Sequence, residues 1–224
     1  MEIELSPEFR ADVLKKIEKR EFNERTGVHC SDLIYCLNKQ ALRALYPQPT
    51  KDSDLLLYSL GWSTQRWLTG QDQDEPEKEV DGIKVTLDAI HDGCPFELKC
   101  TFQSSSKPIE ENMHWIRQIM AQCKVSDSTD AYLTRFEVMG NWKSVFGKKE
   151  EKSLPENSKP TLTAYHLVFT QNEIDFNWEW LKQRSAIYLN VRDTKELAPK
   201  VLAVPSGQDW ECHWCSYRGN KCQL

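Results

Sequence analysis

One stretch limits the possible folds of this chain more than any other: Val80-Asp-Gly-Ile-Lys-Val-Thr-Leu-Asp-Ala-Ile-His-Asp-Gly-Cys-Pro-Phe-Glu-Leu-Lys-Cys100. Ile83, Val85, Leu87 and Ala89 recur at period two, as do Phe96, Leu98 and Cys100, and Asp92-Gly93 lies between the two runs. Alternation of this kind predicts strands, and Asp-Gly between them predicts a hairpin, because a type I′ turn needs two residues tolerant of positive φ. A two-residue turn fixes the register: position 91 faces 94, 90 faces 95, 89 faces 96 and Asp88 faces Glu97. The last is a non-hydrogen-bonded pair, whose Cβ atoms approach to about 4.5–5.5 Å. Pro95 falls in another such pair, so its missing N–H leaves the ladder intact. Both acids and Lys99 are expected on the face opposite Phe96, Leu98 and Cys100. Facing carboxylates repel unless a cation joins them, and oxygen ligands of this kind suit Mg²⁺ or Mn²⁺. The alternative is an exposed polar hairpin face on which Lys99 neutralises one acid. Without metal, Asp88→Ala is expected to be neutral, or to stabilise by a few tenths to about 1 kcal/mol, the scale of a cross-strand pair.

Helices are expected on both sides of these strands. Ser6-Pro7 opens one that carries Phe9, Val13, Leu14 and Ile17; a second runs from Ser31 to Leu45 and a third from about Ser53 to Thr69. Residues 71–79 read as a polar linker and 148–160 as a mobile loop between strands near 130–139 and 161–169. A helix begins at Pro108, and a long one spans about Glu173 to Arg192. On its polar stripe the 108–123 helix places His114, Gln118 and Gln122 at i, i+4 and i+8, with Met113, Ile116, Met120 and Cys123 on the buried side. A solvated stripe is the plain reading of those residues, and Gln118 is the one singled out as a candidate catalytic group. At 224 residues and 39% hydrophobic the chain can bury one sizeable core. The expectation is a single α/β unit over 1–224, with a mixed central sheet flanked by helices: a helical part at 1–70, a sheet core at 80–170 and a helix with a cysteine tail at 171–224.

Eight cysteines are too few for a disulfide scaffold, and Met-Glu-Ile-Glu-Leu-Ser-Pro-Glu-Phe-Arg lacks the marks of an export signal. The longest apolar run, around Leu55–Leu60, is far short of the roughly 20 residues a bilayer requires, so no membrane is expected and the compartment is expected to be the cytoplasm. There, clustered cysteines point to metal rather than to disulfides. Cys212, Cys215 and Cys222 form such a cluster, with Cys30 or Cys36 upstream as the fourth ligand. Zinc fits this pattern too, with His213 or His29 nearby. Cys30, Cys94, Cys100 and Cys123 read as small buried apolar residues. A net charge of −5 argues against coating nucleic acid non-specifically, yet allows a local basic channel. Lys148 and Lys149 are candidate phosphate contacts, with a solvated charged loop as the plain alternative.

An acid followed nine residues later by Glu-x-Lys on the next strand, here Asp88 and Glu97-Leu-Lys99, resembles the core motif of the PD-(D/E)XK nucleases. Cys36-x2-Lys39-x3-Arg43 and Cys212-x2-Cys215-x6-Cys222 are similar to the cysteine motifs of RecB-like members that carry a 4Fe-4S cluster. The order of motifs resembles most the CRISPR-associated exonucleases of the spacer-acquisition module. The resemblance implies a restriction-endonuclease-like fold, Mg²⁺- or Mn²⁺-dependent DNA exonuclease activity, and CRISPR integrase proteins as partners. It implies Asp88, Glu97 and the Leu98 backbone carbonyl as metal ligands, Lys99 and Gln118 as further catalytic groups, and Cys36, Cys212, Cys215 and Cys222 as cluster ligands. Two positions depart from the family pattern: Gln65 stands where Gly61-x3-His is usual, and Gln122 where Gln118-x3-Tyr is usual. Gln65 remains a candidate metal contact and Gln122 a candidate DNA contact. A catalytically weakened DNA-binding adaptor and a zinc-stabilised interaction module are the two alternative functions.

Overall fold

The computed structural model describes residues 4–21, 25–71, 76–101, 108–138 and 160–223. Lys148, Lys149 and the 148–159 part of the expected loop lie outside the described residues. Helix α1 spans Pro7–Glu21, followed by the short strand β1 (Val28–His29) and helices α2 (Cys30–Leu33), α3 (Leu37–Leu45) and α4 (Asp52–Thr69). Strands β2 (Lys78–Val80), β3 (Ile83–Val85), β4 (Ala89–His91) and β5 (Cys94–Thr101) come next, then a 3₁₀ turn at Ile109–Glu111 and helix α5 (Met113–Ser126). Strands β6 (Asp130–Glu137) and β7 (Thr161–Val168) precede the long helix α6 (Gln171–Thr194) and two short helices, α7 (Lys200–Ala203) and α8 (Trp210–His213). A capping box starts α6: Thr170 Oγ1 accepts from the Glu173 N–H, and the Glu173 carboxylate accepts from the Thr170 N–H at 2.8 Å.

The architecture is α/β with mixed sheets flanked by helices, but the sheet is divided. A three-stranded sheet has the order β1-β3-β2, with β1 parallel to β3, and a four-stranded sheet has the order β4-β5-β6-β7, with β5 parallel to β6. The expected continuous strand through residues 80–90 is therefore three strands. Asp81-Gly82 makes a first hairpin turn, with φ of 51° and 73°, and pairs Val80 with Ile83; Thr86-Leu87-Asp88 then carries the chain into the second sheet. Part of the expected polar linker is strand β2. The expected 31–45 helix breaks at 34–36, which leaves Cys36 as the residue before α3. The helix expected from Pro108 begins as a 3₁₀ turn and becomes α-helical at Met113.

Two apolar clusters hold these layers together. One joins Leu33, Ile34 and Leu37 to Ile83 and Val85 and to Trp178, Leu181 and Tyr188 of α6. The other packs Ile119 and Cys123 of α5 and Ile174 of α6 against Ala131 and Leu133 of β6. Helix α5 thus lies against one face of the four-stranded sheet, while α4 meets β5 through Thr64 and Cys100. Cys30 and Cys123 are buried as expected, but Cys94 and Cys100 are only half-buried. Among the described residues no helix is long and apolar enough to cross a membrane.

Candidate active site

The Asp92-Gly93 turn forms as the sequence dictates, with φ of 50° and 79°, and the ladder pairs Ala89 with Phe96, Ile90 with Pro95 and His91 with Cys94. That register brings Asp88 beside Glu97. The environment, however, is not an exposed hairpin face. Glu97 is 2% exposed and lies beneath α5. Its Oε1 accepts from the Lys99 ammonium and from Gln118 Nε2 at 2.9 Å, and its Oε2 accepts from Gln122 Nε2. Lys99 also donates to Gln118 Oε1 at 2.8 Å, and Gln122 Nε2 donates to the Thr86 carbonyl at 3.1 Å. Asp88 does not simply oppose its neighbour: its Oδ2 accepts from the Leu98 N–H at 2.7 Å.

Four side chains read separately in the sequence, Glu97, Lys99, Gln118 and Gln122, are therefore one hydrogen-bonded group. The stripe of α5 faces inward, because Glu97 supplies a buried acceptor that satisfies its amide donors. The expected position of Gln122 as a DNA contact is corrected on the same ground: it is fully buried against Glu97. Its own Oε1 has no hydrogen-bond partner. Burial pushes the Lys99 pKa down, but the Glu97 and Asp88 carboxylates outweigh it and hold the ammonium above its usual range. Gln65 is half-buried on α4, next to Thr64, which touches Cys100 of β5.

Four of the eight cysteines gather elsewhere. Cys36, Cys212, Cys215 and Cys222 line one small pocket together with Lys39, Leu42, Glu211 and Arg218. No disulfide joins any cysteine. Cys36 packs with Ala203, Val204 and Cys212, and Cys222 packs with Leu42, Tyr217 and Cys215. Glu211, which sequence reasoning missed, is 2% exposed and accepts from the Cys36 N–H at 3.0 Å, with Lys39 at 4.0 Å. Burial raises its pKa, offset in part by Lys39. Burial also pushes the Cys36 thiol up to about 11. Buried Cys30 does not line this pocket, and its thiol is raised to about 12. Among the described residues no three His, Cys, Asp or Glu side chains gather as a ligand set for a single metal ion.

His114 links the two regions. Its ring lies 5.6 Å from that of Tyr35 and 6.2 Å from that of Trp210, residues that precede Cys36 and Cys212. The other tryptophans divide. Trp178 is buried and donates to Asp81 at 2.8 Å, whereas Trp214 is 83% exposed.

No protein-family model matches the chain, and no match is found among curated proteins. The fold is similar to that of the solved structure of SSO0001, with a TM-score of 0.55 and 16% identity, over 95% of this chain and 96% of that one. A phage-related exonuclease from Haemophilus somnus 129PT matches with a TM-score of 0.48 and 10% identity, over 77% of this chain and 97% of that one. The alkaline exonuclease LHK-Exo from Laribacter hongkongensis matches with a TM-score of 0.44 and 11% identity, over 75% of this chain and 91% of that one. The likeness to SSO0001 establishes a shared α/β fold along nearly the whole length of both chains.

Proposed function

We propose that this chain is a metal-dependent DNA exonuclease of the RecB-like PD-(D/E)XK type, bearing a 4Fe-4S cluster and processing DNA ends with CRISPR integrase proteins in the cytoplasm. The observation that carries the reading is the burial of the Glu97 carboxylate among Lys99, Gln118 and Gln122, with Asp88 anchored beside it on the Leu98 N–H. Burying an acid and a lysine together is expensive, and such arrangements concentrate at sites of chemistry.

The donor set suits a hard cation, since it offers only oxygens. Asp88, Glu97 and the Leu98 carbonyl would hold Mg²⁺ or Mn²⁺, with Gln65 as a further oxygen. The two carboxylates are completed by backbone and amide groups, a set with fewer than three acidic side chains. When bound, the ion stabilises developing charge on the phosphate and lowers the pKa of a coordinated water. Gln118 accepts from Lys99 and fixes its ammonium, which donates to the attacking water or the scissile phosphate and so orients them. Asp88 and Glu97 keep the local charge negative until substrate and cation arrive together.

Four thiols line one space, which supports four-cysteine ligation of a 4Fe-4S cluster, and zinc, which also takes thiolate ligands, is the alternative that the colour of the protein separates. Anaerobically purified protein is expected to be brown. Cys36→Ala should lose the colour and much of the soluble yield, and Cys30→Ala should keep both. A colourless Cys30→Ala and a brown Cys36→Ala would reverse the ligand assignment.

The adaptor reading has one observation in its favour: the Gln122 amide occupies the Glu97 oxygen on the side where the family pattern has a tyrosine. Incubating the anaerobic protein with Mn²⁺ and end-labelled single- and double-stranded DNA separates the two. Progressive shortening from an end supports the exonuclease; retained DNA binding without shortening supports the adaptor.

A further inference from the structure

A second cavity, of about 460 Å³, opens between α5, α6 and the segment from α7 to α8, within the size range of small-molecule sites. Its polar lining comprises Arg117, Gln183, Arg184, Ser206 and Gln208, set around Trp180, and its apolar wall comes from the Leu202 side. Among the described residues no acidic side chain lines it. Arg117 lies 3.7 Å and Arg184 4.7 Å from the Trp180 ring. Arg184 directs its donors to four carbonyls, those of Leu33, Tyr35, Leu202 and Ala203. Arg117 directs one, to Asn177 Oδ1 at 3.3 Å, and keeps the rest of its five. Neither arginine has a carboxylate within ion-pair distance among the described residues. Gln208, 4% exposed, has a carbonyl oxygen with no hydrogen-bond partner. Gln208 lines the cavity, and turning its terminal amide about a soft torsion brings that buried oxygen to a ligand there.

The Arg117 guanidinium, with most of its donors unspent and no carboxylate at ion-pair distance among the described residues, calls for an anion, and an unspent amide oxygen calls for an N–H donor. The apolar wall calls for a flat or greasy body between them. We infer that this cavity binds a nucleoside monophosphate unit, either free or at the end of a DNA strand. Arg117 holds the phosphate and Gln208 accepts from a base N–H. The site is separate from Asp88 and Glu97 and requires neither metal nor cleavage, so it can be tested where the proposed nuclease reading fails.

The test is calorimetric titration of the intact protein in metal-free buffer with the four deoxynucleoside monophosphates, deoxyadenosine, inorganic phosphate and a 5′-phosphorylated oligonucleotide. Nucleotides should bind saturably, and deoxyadenosine and phosphate at least about tenfold more weakly, since each lacks one anchored group. Arg117→Gln should weaken nucleotide binding by about tenfold or more. Arg117→Lys keeps a cation over Trp180, so its fold is safe, and should weaken binding severalfold through loss of the guanidinium fork. Gln208→Leu should weaken binding severalfold without lowering the thermal midpoint, because it removes an unsatisfied buried oxygen. Tighter binding of the oligonucleotide than of free nucleotide identifies a strand end as the ligand, and the reverse identifies a free nucleotide. Unchanged affinity in both Arg117 variants, or phosphate binding as tightly as nucleotide, overturns the inference.

Discussion

Asp88→Asn is expected to abolish Mn²⁺-dependent DNA cleavage, lowering its rate by about 10³-fold or more, because a cation's contribution to phosphoryl transfer amounts to several kcal/mol. Asparagine keeps an oxygen that can accept from the Leu98 N–H, now bonded to Asp88 at 2.7 Å, so the hairpin persists while the charge is lost. Asp88→Ala, by contrast, leaves that N–H without its acceptor beside the buried Leu98 and should destabilise the protein by about 1–3 kcal/mol. This reverses the expectation from strand register alone, in which two facing acids only repel. In the fold Lys99 neutralises Glu97, and Asp88 has a backbone donor of its own. Cleavage of end-labelled DNA, at matched cluster content and below the melting range of each variant, is the measurement. Wild-type rates in Asp88→Asn would show that this hairpin is not the active site.

Lys99→Ala is expected to cost the largest amount of stability of any single change at the site. Glu97 is 2% and the Lys99 side chain 17% exposed, and removing one member of a buried ion pair typically costs about 3–5 kcal/mol, because the other charge stays buried without a counterion. For a domain of this size that corresponds to a fall in thermal midpoint of roughly 6–20 °C. The double variant Glu97→Gln/Lys99→Met should recover most of the loss, since near-isosteric neutral groups avoid the desolvation of both charges. It should recover none of the cleavage. Thermal melts of the two single variants and the double variant form the needed cycle. A Lys99→Ala protein as stable as wild type would mean that Gln118 and Gln122 alone sustain the Glu97 charge.

The hairpin was legible in the sequence because Asp92-Gly93 acts locally and the period of two fixes everything that follows from it. The same signal at Asp81-Gly82 was submerged, since the alternation runs unbroken through the change of sheet at Thr86-Leu87-Asp88 and nothing local marks where one ladder ends. The break before Cys36 was hidden for the opposite reason. Leu33, Ile34 and Leu37 keep helical spacing across it, and what interrupts the helix is tertiary: Arg184, 151 residues away from Leu33, takes the carbonyls of Leu33 and Tyr35. Gln122 was misjudged because amphipathic patterning assigns an amide to water, whereas a buried carboxylate across the sheet gives it a better partner. The residues alone left Cys30 and Cys36 both open as partners of the tail cysteines, and the choice of Cys36 was implied by the resemblance; Glu211, which ties the Cys36 backbone to the tail, carries no sequence signal beyond its nearness to Cys212.

The bond from Glu211 to Cys36 spans 175 residues, and this sets a timetable for synthesis. At roughly 5–20 residues per second, about ten to thirty-five seconds pass between translation of Cys36 and of the segment that encloses it. Through that interval the Cys36 N–H lacks its acceptor, and through most of it the carbonyls of Leu33 and Tyr35 lack Arg184 and Cys36 lacks its packing against Val204. Slowing translation should therefore lower the yield of folded protein far more than it lowers that of an equally stable protein built from local contacts.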